Sequence, residues 1–111
     1  MNNLEPKEAL KFINENMQNT NFVILDIRKK KDYLKNKIDK AINMSYYDDD
    51  FDKKLKQMNR NNIYLVYCLK DSISNITVET MLELGFRNVS KISGGINDWY
   101  KTGLEIISSK R

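Results

Sequence analysis

Residues 63–74 are Ile-Tyr-Leu-Val-Tyr-Cys-Leu-Lys-Asp-Ser-Ile-Ser, and this stretch decides the fold of the chain. Its first five residues are aliphatic or aromatic, which favours a β-strand. Cys68 follows the strand directly, a short loop comes next, and apolar residues at helical spacing predict a helix from about Ser74. The stretch therefore places a thiol where a strand ends and a helix is about to begin.

The same alternation of strands and helices continues on both sides of this stretch. Strands are predicted over residues 22–25, 41–44, 63–67 and 89–92, and helices over residues 6–17, 31–34, 51–58, 74–84 and 96–101. Gly85 is placed to end one helix, and Gly94-Gly95 to form a turn before the last. Such alternation indicates an α/β fold with a mostly parallel sheet and helices on both faces. Ligands in such sheets bind beyond the carboxyl ends of the strands.

Length and composition indicate one globular domain over residues 1–111. Hydrophobic residues make up 41% of the 111, enough for a core, and the chain has no internal repeat. No stretch reaches the roughly 18 apolar residues that span a bilayer, and residues 1–5 lack a signal pattern. We therefore expect a soluble cytoplasmic protein without a membrane partner.

The net charge of +4 raises the alternative of a nucleic-acid-binding domain. Acidic residues are interleaved with the lysines, however, and no nucleic-acid-binding motif accompanies them, so no nucleic-acid partner is predicted. The run Asp48-Asp49-Asp50 could suggest a cation site, but the start of a capped helix is the favoured interpretation.

The sequence contains no histidine and only one cysteine. Cys-His and Ser-His catalytic pairs, zinc sites built from Cys and His, and an internal disulfide are therefore excluded. We predict neither a metal site nor a cofactor. Chemistry must come from the Cys68 thiol, carboxylates, amines, hydroxyls or backbone groups.

Two interpretations of Cys68 follow from its position. A lone cysteine after an apolar strand is often a small buried hydrophobic residue. A thiol facing the amino end of a helix, in contrast, meets free N–H groups that stabilise a thiolate or another anion. Position alone leaves both open.

Five segments stand in fixed order along the chain: residues 23–28 (VILDIR) with Asp32-Tyr33, residues 38–43 (IDKAIN), residues 63–68 (IYLVYC), residues 84–86 (LGF) with Asn88-Val89, and residues 94–96 (GGI) with Trp99 and Gly103-Leu104. Together they resemble the rhodanese homology domain, also called the thiosulfate sulfurtransferase domain. The resemblance covers residues 4–106. It implies a three-layer α/β/α domain with a central, mostly parallel, five-stranded sheet.

The resemblance also implies a sulfurtransferase in which Cys68 is the catalytic nucleophile. Cys68 would take sulfur from a small anionic donor such as thiosulfate, become a persulfide, and pass the sulfur to a small thiol or a protein acceptor. The loop residues implied to bind the donor are Leu69, Lys70, Asp71, Ser72, Ile73 and Ser74. Residues implied to support the site are Asp26, Arg28, Asp32, Gly94 and Gly95.

The loop departs from the family pattern at two positions. Asp71 stands where a glycine is usual, and Ile73 stands where an arginine is frequent. An added acid and a lost cation are expected to weaken the binding of a dianionic donor. These departures favour an alternative function, a non-catalytic rhodanese-like interaction or regulatory module. A phosphatase on the same fold is disfavoured, because the loop has no arginine to grip a phosphoryl group.

Overall fold

The computed structural model describes residues 2–109; Met1, Lys110 and Arg111, which the predicted domain 1–111 includes, lie outside the described residues. The strands are β1 (Asn2–Leu4), β2 (Phe22–Asp26), β3 (Asn36–Lys37), β4 (Ile42–Asn43), β5 (Ile63–Tyr67), β6 (Asn88–Ile92) and β7 (Ile107–Ser108). The helices are α1 (Pro6–Glu15), α2 (Lys30–Lys35), α3 (Phe51–Gln57), α4 (Ser72–Glu83) and α5 (Gly95–Lys101).

The central sheet has five strands in the order β1-β6-β5-β2-β4. Every pair in it is parallel, which confirms the predicted fold class. A separate antiparallel pair joins β3 to β7. None of the helices in residues 2–109 has the length and apolar character needed to cross a bilayer.

Alternation along β5 divides its side chains between two cores, because successive residues of a strand point to opposite faces. Tyr64 and Val66 pack with residues of α3 and α4, whereas Leu65 and Tyr67 pack with residues of α1 and α5. Cys68 continues the first set and belongs to the core on the α4 side. The period of the strand thus turns the thiol towards the face that α4 covers.

Several predicted details are corrected. Helix α4 begins at Ser72 rather than near Ser74, because the Asn75 N–H already bonds to the Asp71 carbonyl at 2.9 Å. The expected cap at Asp48–Asp50 is not formed: Asp50 makes no side-chain capping hydrogen bond and instead pairs with Lys54 at 3.4 Å. Gly85 ends α4 as predicted, with φ of +92°.

Candidate active site

Three loops meet beside the central strand β5, because the carboxyl ends of adjacent parallel strands share one edge of the sheet. The loop of residues 68–71 follows β5, Ile27 and Arg28 follow β2, and Ser93 and Gly94 follow β6. The predicted catalytic and supporting residues on these three loops are therefore brought together.

Cys68 is buried, with 2% of its surface exposed, and it contacts the core on the α4 side. It also lines a cavity of about 560 Å³. The other lining residues are Arg28, Lys29, Lys31, Asp32, Lys35, Asn36, Tyr47, Leu69, Lys70, Ser72 and Ile73. Cys68 is thus a buried residue that contributes to the wall of this cavity.

Gly95 fixes the direction of the loop after Cys68. A Cβ atom at Gly95 would lie 2.4 Å, 2.6 Å and 2.5 Å from the carbonyl oxygens of Cys68, Leu69 and Lys70. Two of these oxygens accept hydrogen bonds at 3.0 Å from the first turn of α5, Cys68 from the Ile96 N–H and Leu69 from the Asn97 N–H. Three successive carbonyls therefore converge on α5, and only glycine leaves room for them.

This arrangement also sets the direction of the loop amides. In a trans peptide the N–H points away from the C=O, and residues 2–109 contain no cis peptide. The N–H groups of Leu69, Lys70 and Asp71 therefore face the side opposite Gly95. Neither they nor the first three N–H groups of α4 have a backbone acceptor within the described chain. Six consecutive donors are thus available at the loop and helix start.

The loop side chains divide into two groups. Leu69, Lys70, Ser72 and Ile73 line the cavity, and the Leu69 side chain is more than half exposed. Ser74 does not line it: its hydroxyl is fully buried and donates to the Asp71 carbonyl at 3.1 Å. The Ser74 hydroxyl proton therefore stabilises the loop, and of the predicted donor-binding groups of this residue only its N–H is left for an anion.

Asp71 also differs from expectation. Its backbone has φ of −129°, so the position does not need the left-handed conformation that glycine favours. Its carboxylate accepts hydrogen bonds from Lys91 Nζ at 2.6 Å and from the Gly94 N–H at 2.9 Å. Asp71 is not among the residues that line the cavity. The acid that was expected to repel an anionic donor is therefore paired outside the cavity.

Lys91 was not found by sequence reasoning. It lies in β6 with 2% of its side chain exposed, and its Nζ also donates to Asn3 Oδ1 at 3.0 Å. Partial burial opposes the charge of Asp71, but the bonds from Lys91 and Gly94 and the Lys91 charge outweigh it, so the pKa of Asp71 lies below its ordinary value.

Asp26 and Arg28 form a buried ion pair, with Arg28 Nη2 2.7 Å from Asp26 Oδ2. Arg28 also donates to the Asn36 carbonyl at 2.6 Å and to Asn36 Oδ1 at 3.1 Å, which ties the β2 loop to the start of β3. Burial opposes the charge of Arg28, but Asp26 and, more weakly, Asp32 outweigh this, so the pKa of Arg28 is raised. Asp32 lines the cavity nearby.

The charge that lines the cavity is mainly positive. Lys29, Lys31 and Lys35, on and just before α2, join Lys70 of the loop, and the only acid beside them in the described part of the chain is Asp32. Within the loop the sequence shows only the cation Lys70, and it gives no sign that the other three lysines line the same cavity. Among residues 2–109, no cluster of three or more metal-ligating side chains could hold a metal ion.

Comparison with known proteins agrees with this architecture. A rhodanese-related protein from Thermoplasma volcanium is 23% identical, with a TM-score of 0.78 over 96% of this chain and 98% of that chain. The rhodanese-like domain of an Anabaena sp. protein is 24% identical, with a TM-score of 0.78 over 98% of this chain and 80% of that one. A rhodanese-like domain protein from Staphylococcus aureus is 25% identical, with a TM-score of 0.74 over 97% of this chain and 100% of that chain.

The family model described as the rhodanese-like domain matches residues 7–102, which is most of the chain and includes Cys68 and its loop. The chain belongs to the rhodanese-like domain family.

Proposed function

We propose that this protein is a sulfurtransferase that carries sulfur as a persulfide on Cys68. The observation that carries the proposal is the direction of the loop peptides. Three carbonyls converge on Gly95, so the N–H groups of Leu69, Lys70 and Asp71 face away from it, next to the free amides of α4. Amide donors in the loop that directly follows a thiol suit an anionic sulfur that appears during a reaction.

In the first half-reaction, the Cys68 thiolate attacks the outer sulfur of thiosulfate. The new S–S bond forms as the bond to the sulfonate sulfur breaks, and sulfite leaves with that electron pair. Cys68 then carries a persulfide anion, which the loop amides stabilise.

In the second half-reaction, a nucleophilic acceptor such as cyanide or a thiolate attacks the outer sulfur of the persulfide. The S–S bond breaks, the Cys68 thiolate is regenerated, and thiocyanate or a new persulfide leaves. The two halves share only the modified enzyme, so the kinetics are ping-pong.

The charge of the cavity supports an anionic donor. The loop lacks the arginine frequent in the family, but Lys29, Lys31 and Lys35 line the same cavity from outside the loop. The Asp71 carboxylate is neutralised by Lys91. Both features counter the weakening of donor binding that the loop sequence predicts.

One observation favours a second candidate, a non-catalytic rhodanese-like module. Cys68 is 2% exposed and packs with core residues, as a purely structural cysteine would. In this alternative the thiol has no chemical role, and the cavity binds a partner without turnover.

A cyanolysis assay separates the two functions. Purified protein is supplied with thiosulfate or 3-mercaptopyruvate and cyanide, and thiocyanate is measured; Cys68→Ser is the control, checked for native folding by circular dichroism. The sulfurtransferase predicts turnover by the wild type with either donor and none by Cys68→Ser. Equal background rates for both proteins with both donors would contradict it and favour the module.

A further inference from the structure

Lys91 has an unusual environment for a lysine. It lies in β6 opposite Asn3 of β1 in the sheet register, and 2% of its side chain is exposed. A buried ammonium is costly unless it is paired and hydrogen-bonded. Its hydrogen-bond partners among the described residues are Asp71 Oδ1 at 2.6 Å and Asn3 Oδ1 at 3.0 Å.

Asp71 connects this lysine to the active-site loop. It lies three residues after Cys68 and directly before α4. The carboxylate oxygen that binds Lys91 also accepts the Gly94 N–H at 2.9 Å, and Gly94 precedes the glycine on which the loop carbonyls converge. One carboxylate therefore joins the loop, strand β6 and the turn before α5.

The direction of this carboxylate has an electrostatic consequence. A carboxylate at position 71 that turned towards the cavity would oppose an anion bound there, because like charges repel. Paired with Lys91, Asp71 is absent from the cavity lining, while Lys70 and Ser72 on either side of it line the cavity. The carboxylate that pairs with the buried lysine thus lies outside the cavity lining.

We propose that Lys91 is a positioning residue for sulfur transfer, which holds the Asp71 carboxylate away from Cys68 and so keeps the loop receptive to anions. The inference rests on the proposed function. Lys91 acts only through Asp71 and touches neither the donor nor the thiol.

The test compares the alkylation of Cys68 by iodoacetate, an anion, with its alkylation by neutral iodoacetamide. The ratio of the two rates reports how well the site accepts an anion, and it needs no sulfur transfer. Because Cys68 is the only cysteine, each rate is read from the intact mass of the protein.

In Lys91→Met, the ratio of iodoacetate to iodoacetamide rates should fall at least about threefold, because Asp71 has lost its cation. In the double variant Lys91→Met/Asp71→Asn, the ratio should return to within about twofold of wild type, since the amide keeps an acceptor for Gly94 without the charge. If Lys91→Met does not fold, Lys91→Gln replaces it, because glutamine can still hydrogen-bond. The same fall in the ratio of iodoacetate to iodoacetamide rates is expected.

A loss of packing alone would not be rescued by Asp71→Asn. The inference is overturned if the ratio in the Lys91 variants equals that of wild type, or if the double variant is no better than the single one. These outcomes leave the proposed function standing. A wild-type thiol that reacts with neither reagent would overturn both, because the cavity would not reach the sulfur.

Discussion

The carbonyl oxygen of Cys68 accepts a hydrogen bond from the N–H of Ile96 at 3.0 Å, so the candidate nucleophile and the first turn of α5 hold each other in place. Gly95 directly precedes Ile96, and because it has no side chain it does not push the loop carbonyls away from α5. The loop between β5 and α4 is therefore shaped by helix α5, in which Ile96 lies 28 residues after Cys68.

Gly95→Ala should disable the site. The added Cβ would lie 2.4–2.6 Å from three loop carbonyls, at a backbone φ of +62°, so the loop must move. A displacement of about 1 Å at a reacting group can cost roughly 100-fold in rate, and we expect at least that loss in cyanolysis.

Gly103→Ala is the matched control for this change. Gly103 has a similarly positive φ of +87°, but no atom of the described chain beyond its two neighbours lies within 4 Å of the position a Cβ would take. The Gly103→Ala protein should lose stability through backbone strain while keeping most of its activity. Equal losses of activity in the two variants would contradict the account of the loop.

Arg28→Met should destabilise the fold strongly. The substitution leaves Asp26, which has no exposed surface, without its cation, and breaking a buried pair costs about 3–5 kcal/mol. Urea unfolding measures the change. Arg87→Met, at an exposed arginine, is the control and should alter stability little. A small effect at Arg28 would show that the pair is not needed to hold the β2 loop.

The lysines on α2 should assist donor binding. In Lys31→Gln/Lys35→Gln, we expect the KM for thiosulfate to rise about 3- to 10-fold at low salt with little change in kcat. The difference should shrink at about 0.5 M salt, because the charges are exposed. Lys53→Gln/Lys101→Gln changes the net charge equally away from the cavity, and an equal rise in KM there would contradict the assignment.

Asp71 should stabilise the fold in a pH-dependent way. Its pKa is lowered in the folded state, so its stabilisation is present above the ordinary carboxyl value of 3.8 and is lost as the pH falls through the folded pKa. The stability difference between wild type and Asp71→Asn should therefore narrow between pH 6 and pH 3, as measured by urea unfolding. In a Lys91→Met background the pH dependence of this stability difference should shrink. If it persists there, Lys91 is not the partner that lowers the pKa of Asp71.

Local patterns in the sequence were sufficient for much of the fold. The run of residues 63–67 is strand-like by composition, and Gly85 marks a helix end by its conformational freedom. The short strands β1, β3 and β7 were missed, because two or three residues carry little periodicity and pair only once the sheet exists.

The candidate site was predicted less completely, for a physical reason. The place of Cys68 between a strand and a helix could be predicted from the sequence. Lys91 could not, since a lysine in a strand normally indicates a solvent-facing position, and its burial depends on a carboxylate 20 residues away. The α2 lysines reach the cavity only through tertiary packing. The positive charge of the cavity is therefore larger than the loop sequence alone indicates.

The most direct measurement of the central claim is the intact mass of the protein after exposure to thiosulfate. A persulfide on Cys68 predicts a gain of about 32 Da that is reversed by cyanide and absent from Cys68→Ser. No gain in the wild type, or the same gain in the serine variant, would contradict the assignment of Cys68 as the sulfur carrier.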